Sequence, residues 1–318
     1  MTAWPTSSAD EPEGSRLHFA DRLAALVEER RSRLVLGLDP DPAALWPAAL
    51  ERIGAGGDGP HLARVRTAEA MVEHCRAAIV AAGPASVAVK LQLACFERLG
   101  APGWDALEQV AAIGRDHGLL VIADGKRGDV PVTAGAYAQA LVGVTPGPFG
   151  AVDGLAVDAF TANPLLGRDA LEPLVEAAAA AGAGCFVLVR TSNPGAAELQ
   201  DEGDPPLHER LARLVDELGA SHVGAGGLSS VGAVTAATRP DHLGRLRELM
   251  PRAVFLLPGV GPQGGRPKDL GPAFAPHPAA GLVTASRAIV NAHAERGGDP
   301  ASAAEEAAEE LRAAAWNL

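Results

Sequence analysis

Lysine is scarce in this chain of 318 residues. Only three of the 27 basic residues are lysines, Lys90, Lys126 and Lys268, so the other 24 are arginines. A lysine ammonium can give up its proton in a protein and an arginine cannot, so a need for a transferable proton is one reason to keep a lysine. The other interpretation is a compositional bias in which the lysines have no special role. Composition alone supports both equally.

Cysteines and long apolar runs are also few. Cys75, Cys95 and Cys185 are odd in number, far apart and without metal-ligand spacing, so we expect reduced core residues rather than a disulfide framework. The longest apolar run, 177–189, has about 13 residues and is too short to span a bilayer. The polar, acidic first 17 residues are unlike a secretory signal. We therefore expect a cytoplasmic protein.

The charge balance is acidic, with 39 Asp and Glu and a formal net charge of −12. This balance argues against a general nucleic-acid or anionic-membrane binder, although it is compatible with a local phosphate pocket. The hydrophobic fraction of 47% allows one large core or two ordinary domains.

Short aliphatic runs alternate with segments of helical periodicity along the whole chain. The runs predict eight strands, at 34–38, 87–91, 119–123, 154–157, 185–189, 231–235, 254–257 and 281–284. The helical segments lie at 17–31, 62–82, 104–117, 132–142, 168–182, 207–219, 239–249 and 301–315. This alternation and the chain length predict a (β/α)8 barrel. A doubly wound sheet is the alternative, but no Gly-x-Gly-x-x-Gly motif follows the first strand.

The Gly/Pro-rich interruptions do not separate segments that each look complete. They lie at 54–60, 143–150, 201–206, 224–230 and 258–278. We therefore predict a single barrel domain over 17–318, preceded by a flexible polar extension at 1–16. The last interruption follows the seventh predicted strand and has the length of a functional lid.

The densest group of charged residues is VIADGKRGDV, at the end of the third predicted strand. Asp124, Lys126 and Asp129 lie where catalytic groups of a barrel are expected. If the strand continues, Asp124 and Lys126 share one face, since they are two residues apart. A lysine between carboxylates keeps its charge, and its proton can be directed at a developing carbanion. The alternative is a solvated surface run of ion pairs.

Two further charges end predicted strands. Lys90 follows an apolar run in VAVKLQ, where a lysine is unfavourable unless its ammonium reaches a partner or the barrel mouth. The competing interpretation is a side chain that only extends to solvent. Asp39 ends the first strand in the same way, and a turn or helix-capping role is as well supported as a ligand role.

Two segments suggest a phosphate site. The glycine-rich stretch 258–265 follows the seventh strand and could expose backbone N–H groups to an anion, while Ser286 and Arg287 follow the eighth strand. Loops after these two strands are a recurring phosphate site in barrels, and Arg287 would add a two-pronged grip. The alternative is a flexible loop with a surface arginine.

The motifs together resemble orotidine 5′-phosphate decarboxylase, in particular its longer (type 2) subgroup. The family signature is an apolar strand, Asp-x-Lys-x-x-Asp, an aliphatic residue, Gly or Pro, any residue and Thr. Here it reads VIADGKRGDVPVTA without a break. The similarity extends through LVLGLDPDP, VKLQLACFERLG, VDAFTANPLLG, VLVRTSNPGA, VFLLPGVGPQGGRP and TASRAIVNA, and so covers nearly all of 20–315.

The resemblance implies a homodimeric barrel without metal or organic cofactor, which converts orotidine 5′-monophosphate to uridine 5′-monophosphate and CO2 in pyrimidine biosynthesis. It implies an alternating charged array of Lys90, Asp124, Lys126 and Asp129, in which Lys126 protonates C6 of the pyrimidine. Asp129 and Thr133 would reach the partner subunit's site.

The same resemblance implies the residues that bind the substrate. Lys90 and Asp39 match contacts to the ribose hydroxyls, and Ser192 matches a contact to the pyrimidine. The residues that match the phosphate grip are Gln263, Gly264, Gly265 and Arg287. Two departures from the family pattern, Leu91 in place of a common Pro and Ala236 in place of a usual Gly, remove no charged group.

Two other functions remain to be distinguished. A related sugar-phosphate decarboxylase or aldolase shares the Asp-x-Lys-x-x-Asp motif but depends on Mg²⁺, so metal dependence would separate it from the nucleotide enzyme. A catalytically silent nucleotide-binding barrel would be expected to lack a member of the charged array, and all four are present.

Overall fold

The computed structural model describes residues 17–54, 59–261 and 263–318, so the predicted extension at 1–16 lies outside the described residues. Eight parallel strands within these ranges hydrogen-bond in chain order into a closed barrel, in which the last strand returns to the first. The strands are β1 Leu34–Leu38, β2 Ala88–Gln92, β3 Leu120–Arg127, β4 Ala159–Ala162, β5 Gly184–Arg190, β6 Ser229–Thr235, β7 Ala253–Leu257 and β8 Gly281–Ala285. The predicted barrel is confirmed.

Helices surround the barrel. The α-helices are α1 Phe19–Arg30, α2 Pro47–Ile53, α3 Pro60–Ala82, α4 Leu93–Glu97, α5 Ala101–Asp116, α6 Pro131–Leu141, α7 Arg168–Ala180, α8 Ala197–Gln200, α9 Leu207–Gly219, α10 Pro240–Leu249, α11 Arg287–Val290, α12 His293–Arg296 and α13 Pro300–Trp316. Single 3₁₀ turns lie at Pro194–Ala196, Pro267–Asp269, Gly271–Phe274 and Pro278–Ala280. Each of the eight predicted helices overlaps an observed helix. The short α2, α4, α8, α11 and α12 carry too few turns for periodicity to predict them.

One predicted strand is wrong. The run at 154–157 is a loop, and β4 comes two residues later. The run packs under the end of α6, where the Leu155 N–H donates to the Ala140 carbonyl at 2.9 Å, so its hydrogen bonds do not go to a neighbouring strand. The predicted loop at 143–150 also differs, because it forms most of an exposed β-hairpin, Val144–Gly147 with Gly150–Asp153.

The N-terminal end of the barrel is closed by α1. Phe19, Leu23 and Val27 belong to the same buried cluster as the inward side chains of the strands, and each such burial stabilises the fold by roughly 1.5–3 kcal/mol. The Phe19 and Phe186 rings meet edge to face, with centroids 5.9 Å apart. Gly184 makes room for this contact, since a Cβ there would lie 2.5 Å from the Phe19 ring.

The crossover from β7 to β8 contains 3₁₀ turns where the other crossovers have an α-helix. Leu270 and Ala273 are fully buried and Phe274 nearly so, which anchors the second half of the predicted lid against the barrel. The first half of the segment, 259–269, contains three cavity-lining residues, Gly259, Val260 and Gln263. The second half of the predicted lid at 258–278 is therefore anchored, and closure of the segment stays a prediction.

Two expectations from the sequence can be compared with the structure: reduced cysteines, and no helix that spans a membrane. Cys75 and Cys185 are buried, Cys95 is half-buried, and all three are free thiols. No helix in the described ranges has both the length and the hydropathy needed to cross a membrane.

Arg247 on α10 is a buried cation that holds several segments together. Its guanidinium carbon lies 3.7 Å from the centroid of the Phe255 ring. Its terminal nitrogens donate, at 2.7–3.0 Å, to the backbone carbonyls of Met250, Ala253, Ala273 and Ala280. The Arg247 side chain thus connects the start of β7 to the crossover between β7 and β8, which has 3₁₀ turns instead of an α-helix.

We expect Arg247→Met to lower the free energy of unfolding by about 2–4 kcal/mol, because four buried carbonyls lose their donor. Urea denaturation followed by circular dichroism measures the change. Arg245→Met, on the exposed side of the same helix, is the matched control and should have far less effect, since surface ion pairs contribute little. Equal effects of the two substitutions would contradict the structural role of Arg247.

Candidate active site

A cavity of about 540 Å³ opens at the carboxyl ends of the barrel strands. Its floor is formed by inward side chains of β5 to β8, which are Leu188, Val234, Leu256 and Thr284. Charged and polar side chains from the ends of β1 to β4 form one wall. The loops after β5, β7 and β8 form the other. Catalytic residues of barrel enzymes lie at this end of the strands.

Four charged residues alternate in sign along the first wall. Lys90 Nζ lies 2.8 Å from Asp124 Oδ2 and 3.6 Å from Asp39 Oδ1, while Lys126 Nζ lies 2.7 Å from Asp124 Oδ1. Asp124 is therefore placed between two ammonium groups. The structure brings together three members of the predicted array, Lys90, Asp124 and Lys126. Asp39 extends the line beyond Lys90.

Burial and charge act against each other in this array. Burial alone would raise the pKa of Asp124, but the ammonium groups of Lys90 and Lys126 outweigh it and hold that pKa well below its usual range. Burial alone would lower the pKa of Lys90, and the carboxylates of Asp124 and Asp39 raise it instead. Both groups therefore stay charged at neutral pH. The charge on Asp124 is lost only as the pH falls far below the usual carboxyl range.

Lys126 is the most accessible member of the array. Its side chain is 42% exposed, against 8% for Lys90 and 8% for Asp124, so its ammonium faces the cavity. Its backbone has φ +48°, a left-handed conformation unusual for a residue with a side chain. β3 is irregular between Ala123 and Arg127, so Asp124 and Lys126 meet across a bent strand rather than by simple alternation.

Thr161 on β4 holds this bend. Its buried hydroxyl donates to Asp124 Oδ1 and accepts from the Lys126 backbone N–H, both at 2.9 Å. One hydroxyl thereby orients the central carboxylate and fixes the backbone of the exposed lysine. Thr161 was not predicted as a site residue, because nothing near it in sequence shows that β4 pairs with β3 at this level.

The second wall brings Ser192 and Gln263 together around Gly259. A Cβ at Gly259 would lie 3.1 Å from Gln263 Oε1 and 3.4 Å from Ser192 Cβ, and its φ of +103° also favours glycine. Ser192 and Gln263 both line the cavity, as do Ser286 and Arg287 after β8. The Arg287 guanidinium has no ion-pair partner among the described residues, so it is available to a ligand anion.

Four predicted site residues do not line the described part of the cavity: Asp129, Thr133, Gly264 and Gly265. The Gly264 and Gly265 N–H groups donate to carbonyls inside their own loop, at 2.8 and 3.0 Å, and so are not open to an anion in this conformation. Asp129 is half-buried and caps the Val130 N–H, while Thr133 is exposed on α6.

Comparisons with known proteins agree with this geometry. A family model described as "Orotidine 5'-phosphate decarboxylase / HUMPS family" matches residues 32–307. The chain is 42% identical over 295 residues to an orotidine 5′-phosphate decarboxylase of Deinococcus radiodurans, covering 92% of this chain and 95% of that protein. It is 39% identical over 284 residues to one of Rhodopirellula baltica, covering 86% and 89%.

A solved structure gives the same result. The structure of Leishmania donovani OMP decarboxylase superposes with a TM-score of 0.68 at 31% identity, covering 94% of this chain and 99% of that one. The chain therefore belongs to the orotidine 5′-phosphate decarboxylase / HUMPS family.

We expect Thr161→Val to lower the free energy of unfolding by about 1–3 kcal/mol, because Asp124 and the Lys126 N–H each lose a buried partner. Thr161→Ser keeps the hydroxyl and should lose less. Thr235→Val is the matched control, since the Thr235 hydroxyl on β6 is buried without a partner among the described residues. Urea denaturation of the three variants tests this. A Thr161→Val variant as stable as Thr235→Val would show that the two hydrogen bonds contribute nothing.

Proposed function

We propose that the protein decarboxylates orotidine 5′-monophosphate, giving uridine 5′-monophosphate and CO2, in de novo pyrimidine biosynthesis in the cytoplasm. The observation that carries this proposal is the alternating line of Asp39, Lys90, Asp124 and Lys126 along one wall of the cavity. Such a line places a fixed positive charge beside a fixed negative one. This suits a reaction in which a carboxylate leaves and a carbanion forms in its place.

The difficult step is the negative charge that arrives at C6. When the carbon–carbon bond breaks, its electron pair stays on C6 and CO2 departs. The Lys126 ammonium is positioned to stabilise this charge and then to give C6 its proton, after which solvent reprotonates the amine. Because the charge on C6 is larger in the transition state than in the substrate, the ammonium favours the transition state.

Asp124 and Lys90 have supporting roles in this proposal. The Asp124 carboxylate orients the Lys126 ammonium, which donates to it at 2.7 Å, and it would lie beside the substrate carboxylate before CO2 leaves. Lys90 neutralises Asp124 from the other side and, with Asp39, provides the groups for the ribose hydroxyls. Direct contacts between the charged groups hold the array in place, so little reorganisation is needed during the reaction.

The opposite wall would hold the two ends of the nucleotide. Ser192 is the pyrimidine contact, and Gln263 with Arg287, which has no ion-pair partner in the described part of the chain, forms the phosphate grip. Gly264 and Gly265 join that grip only if the 259–269 loop changes its internal hydrogen bonds when it closes on the phosphate. Because the phosphate lies far from C6, its binding energy could drive that closure.

We expect Lys126→Ala to lower kcat by on the order of 10³-fold or more while the Kd for uridine 5′-monophosphate changes little, since the lysine acts mainly on the transition state. Loss of the orotidine monophosphate absorbance measures turnover, and calorimetry measures binding. Arg245→Ala, at an exposed cation on α10 outside the cavity lining, is the matched control.

Near-normal decarboxylation by Lys126→Ala would reject this role. The same assay with a chelator separates the proposal from its Mg²⁺-dependent alternative. Activity that a chelator removes and Mg²⁺ restores would reverse the choice, as the proposed reaction uses neither metal nor organic cofactor.

We also propose that the protein is a homodimer in which Asp129 and Thr133 contribute to the partner subunit's site. Neither residue lines the described cavity of its own chain. The stretch 130–152, along α6 and the hairpin, carries no charged side chain and is mostly exposed, with Val132 at 89% and Phe149 at 103%. An exposed stretch with many apolar side chains and no charged ones is typical of an interface, and a second copy is the proposed occupant.

Mixing two inactive variants tests this arrangement. In a mixed dimer of Lys126→Ala and Asp129→Ala, one site would contain both substitutions and the other neither. We expect an equimolar, exchanged mixture to recover about a quarter of wild-type activity, because half of the dimers are mixed and each has one intact site. Activity equal to the mean of the two parents would show that Asp129 does not act across an interface.

A further inference from the structure

The loop after β5, residues 191–200, forms one side of the cavity but has little apolar anchoring. Its cavity-lining residues are Thr191, Ser192, Asn193 and Gln200. Apart from Ala196, the side chains of this loop are half-buried or exposed. Burial of apolar surface therefore does little to hold the loop, and its polar contacts determine where its cavity-lining groups lie.

An ion pair between a buried arginine and a half-buried aspartate closes the two ends of this loop. Arg190, the last residue of β5, is 3% exposed and directs a two-pronged contact at Asp201. Its Nε lies 2.8 Å from Asp201 Oδ1 and its Nη2 lies 3.0 Å from Asp201 Oδ2. The third nitrogen, Nη1, donates to the Thr191 carbonyl at 2.5 Å. Such a planar, bidentate contact fixes distance and orientation together.

A second pair of contacts joins the first and last residues of the loop, Thr191 and Gln200. Gln200 Oε1 accepts from the Thr191 N–H at 2.8 Å, and Gln200 Nε2 donates to Thr191 Oγ1 at 3.0 Å. Outside the loop, Arg239 donates to Asp201 at 3.2 Å, and the His208 ring lies 2.7 Å from the Gln200 carbonyl. The base of the loop is thus held from within and from two other elements.

We propose that Arg190 and Asp201 are positioning residues, whose ion pair closes the 191–200 loop and holds Ser192 against the pyrimidine ring of the nucleotide. This inference rests on the proposed function, because it places the base beside Ser192. The phosphate grip at Gln263 and Arg287 belongs to other loops. The ion pair therefore determines affinity for the base and not for the phosphate.

The proposal predicts a selective loss of affinity. Asp201→Asn removes the negative charge from the contact that closes the loop. Ser192 must then be ordered when the ligand binds, which makes the free energy of binding less favourable. We expect the Kd for uridine 5′-monophosphate to rise by about tenfold to a hundredfold, and the Kd for ribose 5-phosphate to stay within about twofold. The KM for orotidine 5′-monophosphate should rise more than kcat falls. Calorimetry with the two ligands measures the difference.

Three further variants show whether the loss of affinity in Asp201→Asn is specific to the 191–200 loop. Asp216→Asn removes a carboxylate of similar exposure, which pairs with Arg252 far from the cavity lining, and should change neither Kd. Arg287→Ala should weaken both ligands, because both carry the phosphate. Asp201→Glu restores the charge and should recover part of the lost affinity. Hydrogen exchange should become faster in 191–200 of Asp201→Asn while the strands are unaffected.

Two results would overturn the proposal. One is a folded Asp201→Asn variant that binds uridine 5′-monophosphate as the wild type does. The other is an equal loss for both ligands, which would indicate a general structural role. Should Asp201→Asn fail to fold, Arg239→Gln removes only the outer, half-exposed support, and a selective rise of about threefold is then expected. Equal binding by Arg239→Gln would count against the proposal.

The proposed function can fail separately. A wild-type protein that does not consume orotidine 5′-monophosphate would reject decarboxylation, whereas the two binding measurements do not depend on turnover.

Discussion

Two opposite charges buried at the mouth of the barrel constrain much of the surrounding structure. An unpaired charge at the position of Lys90 or Asp124 would cost several kcal/mol, so each requires the other. The register of β2 and β3 pairs Gln92 with Asp124, so Lys90 lies two residue pairs deeper in the barrel and its long side chain reaches up to the carboxylate. Asp39 and Lys126 then extend the line toward solvent. A single pairing requirement thus organises the ends of three strands.

Stability and chemistry are separated along the barrel axis. The N-terminal end is filled by aromatic and aliphatic side chains from α1 and the strands, with Phe19 against Phe186 at its centre. The carboxyl end holds charges that would be unfavourable in such a core. Because the first end supplies apolar burial, the second can carry a cavity and a residue in a left-handed conformation, Lys126. This division explains why the carboxyl end of the barrel can hold charged groups and a left-handed residue, both of which lower the stability of the fold.

The walls of the cavity are held by polar contacts more than by apolar packing. A hydroxyl of Thr161 orients the charged array, and an ion pair between Arg190 and Asp201 closes the 191–200 loop. The 259–269 loop is held by hydrogen bonds among its own glycines. Polar contacts have strict geometry, so they place a side chain accurately, and a loop held by a few of them can still move when a ligand binds.

Much of the fold and of the charged array could be read from the sequence, because both depend on local pattern. The period of apolar residues predicted the eight-stranded barrel, and Lys90, Asp124 and Lys126 stood out as charges that end apolar strands. The placement of β4, the plug formed by α1, the Thr161 hydrogen bonds and the Arg190–Asp201 pair could not be read in this way. Each depends on which strands and loops lie side by side in space, and that register is determined only when the whole barrel closes.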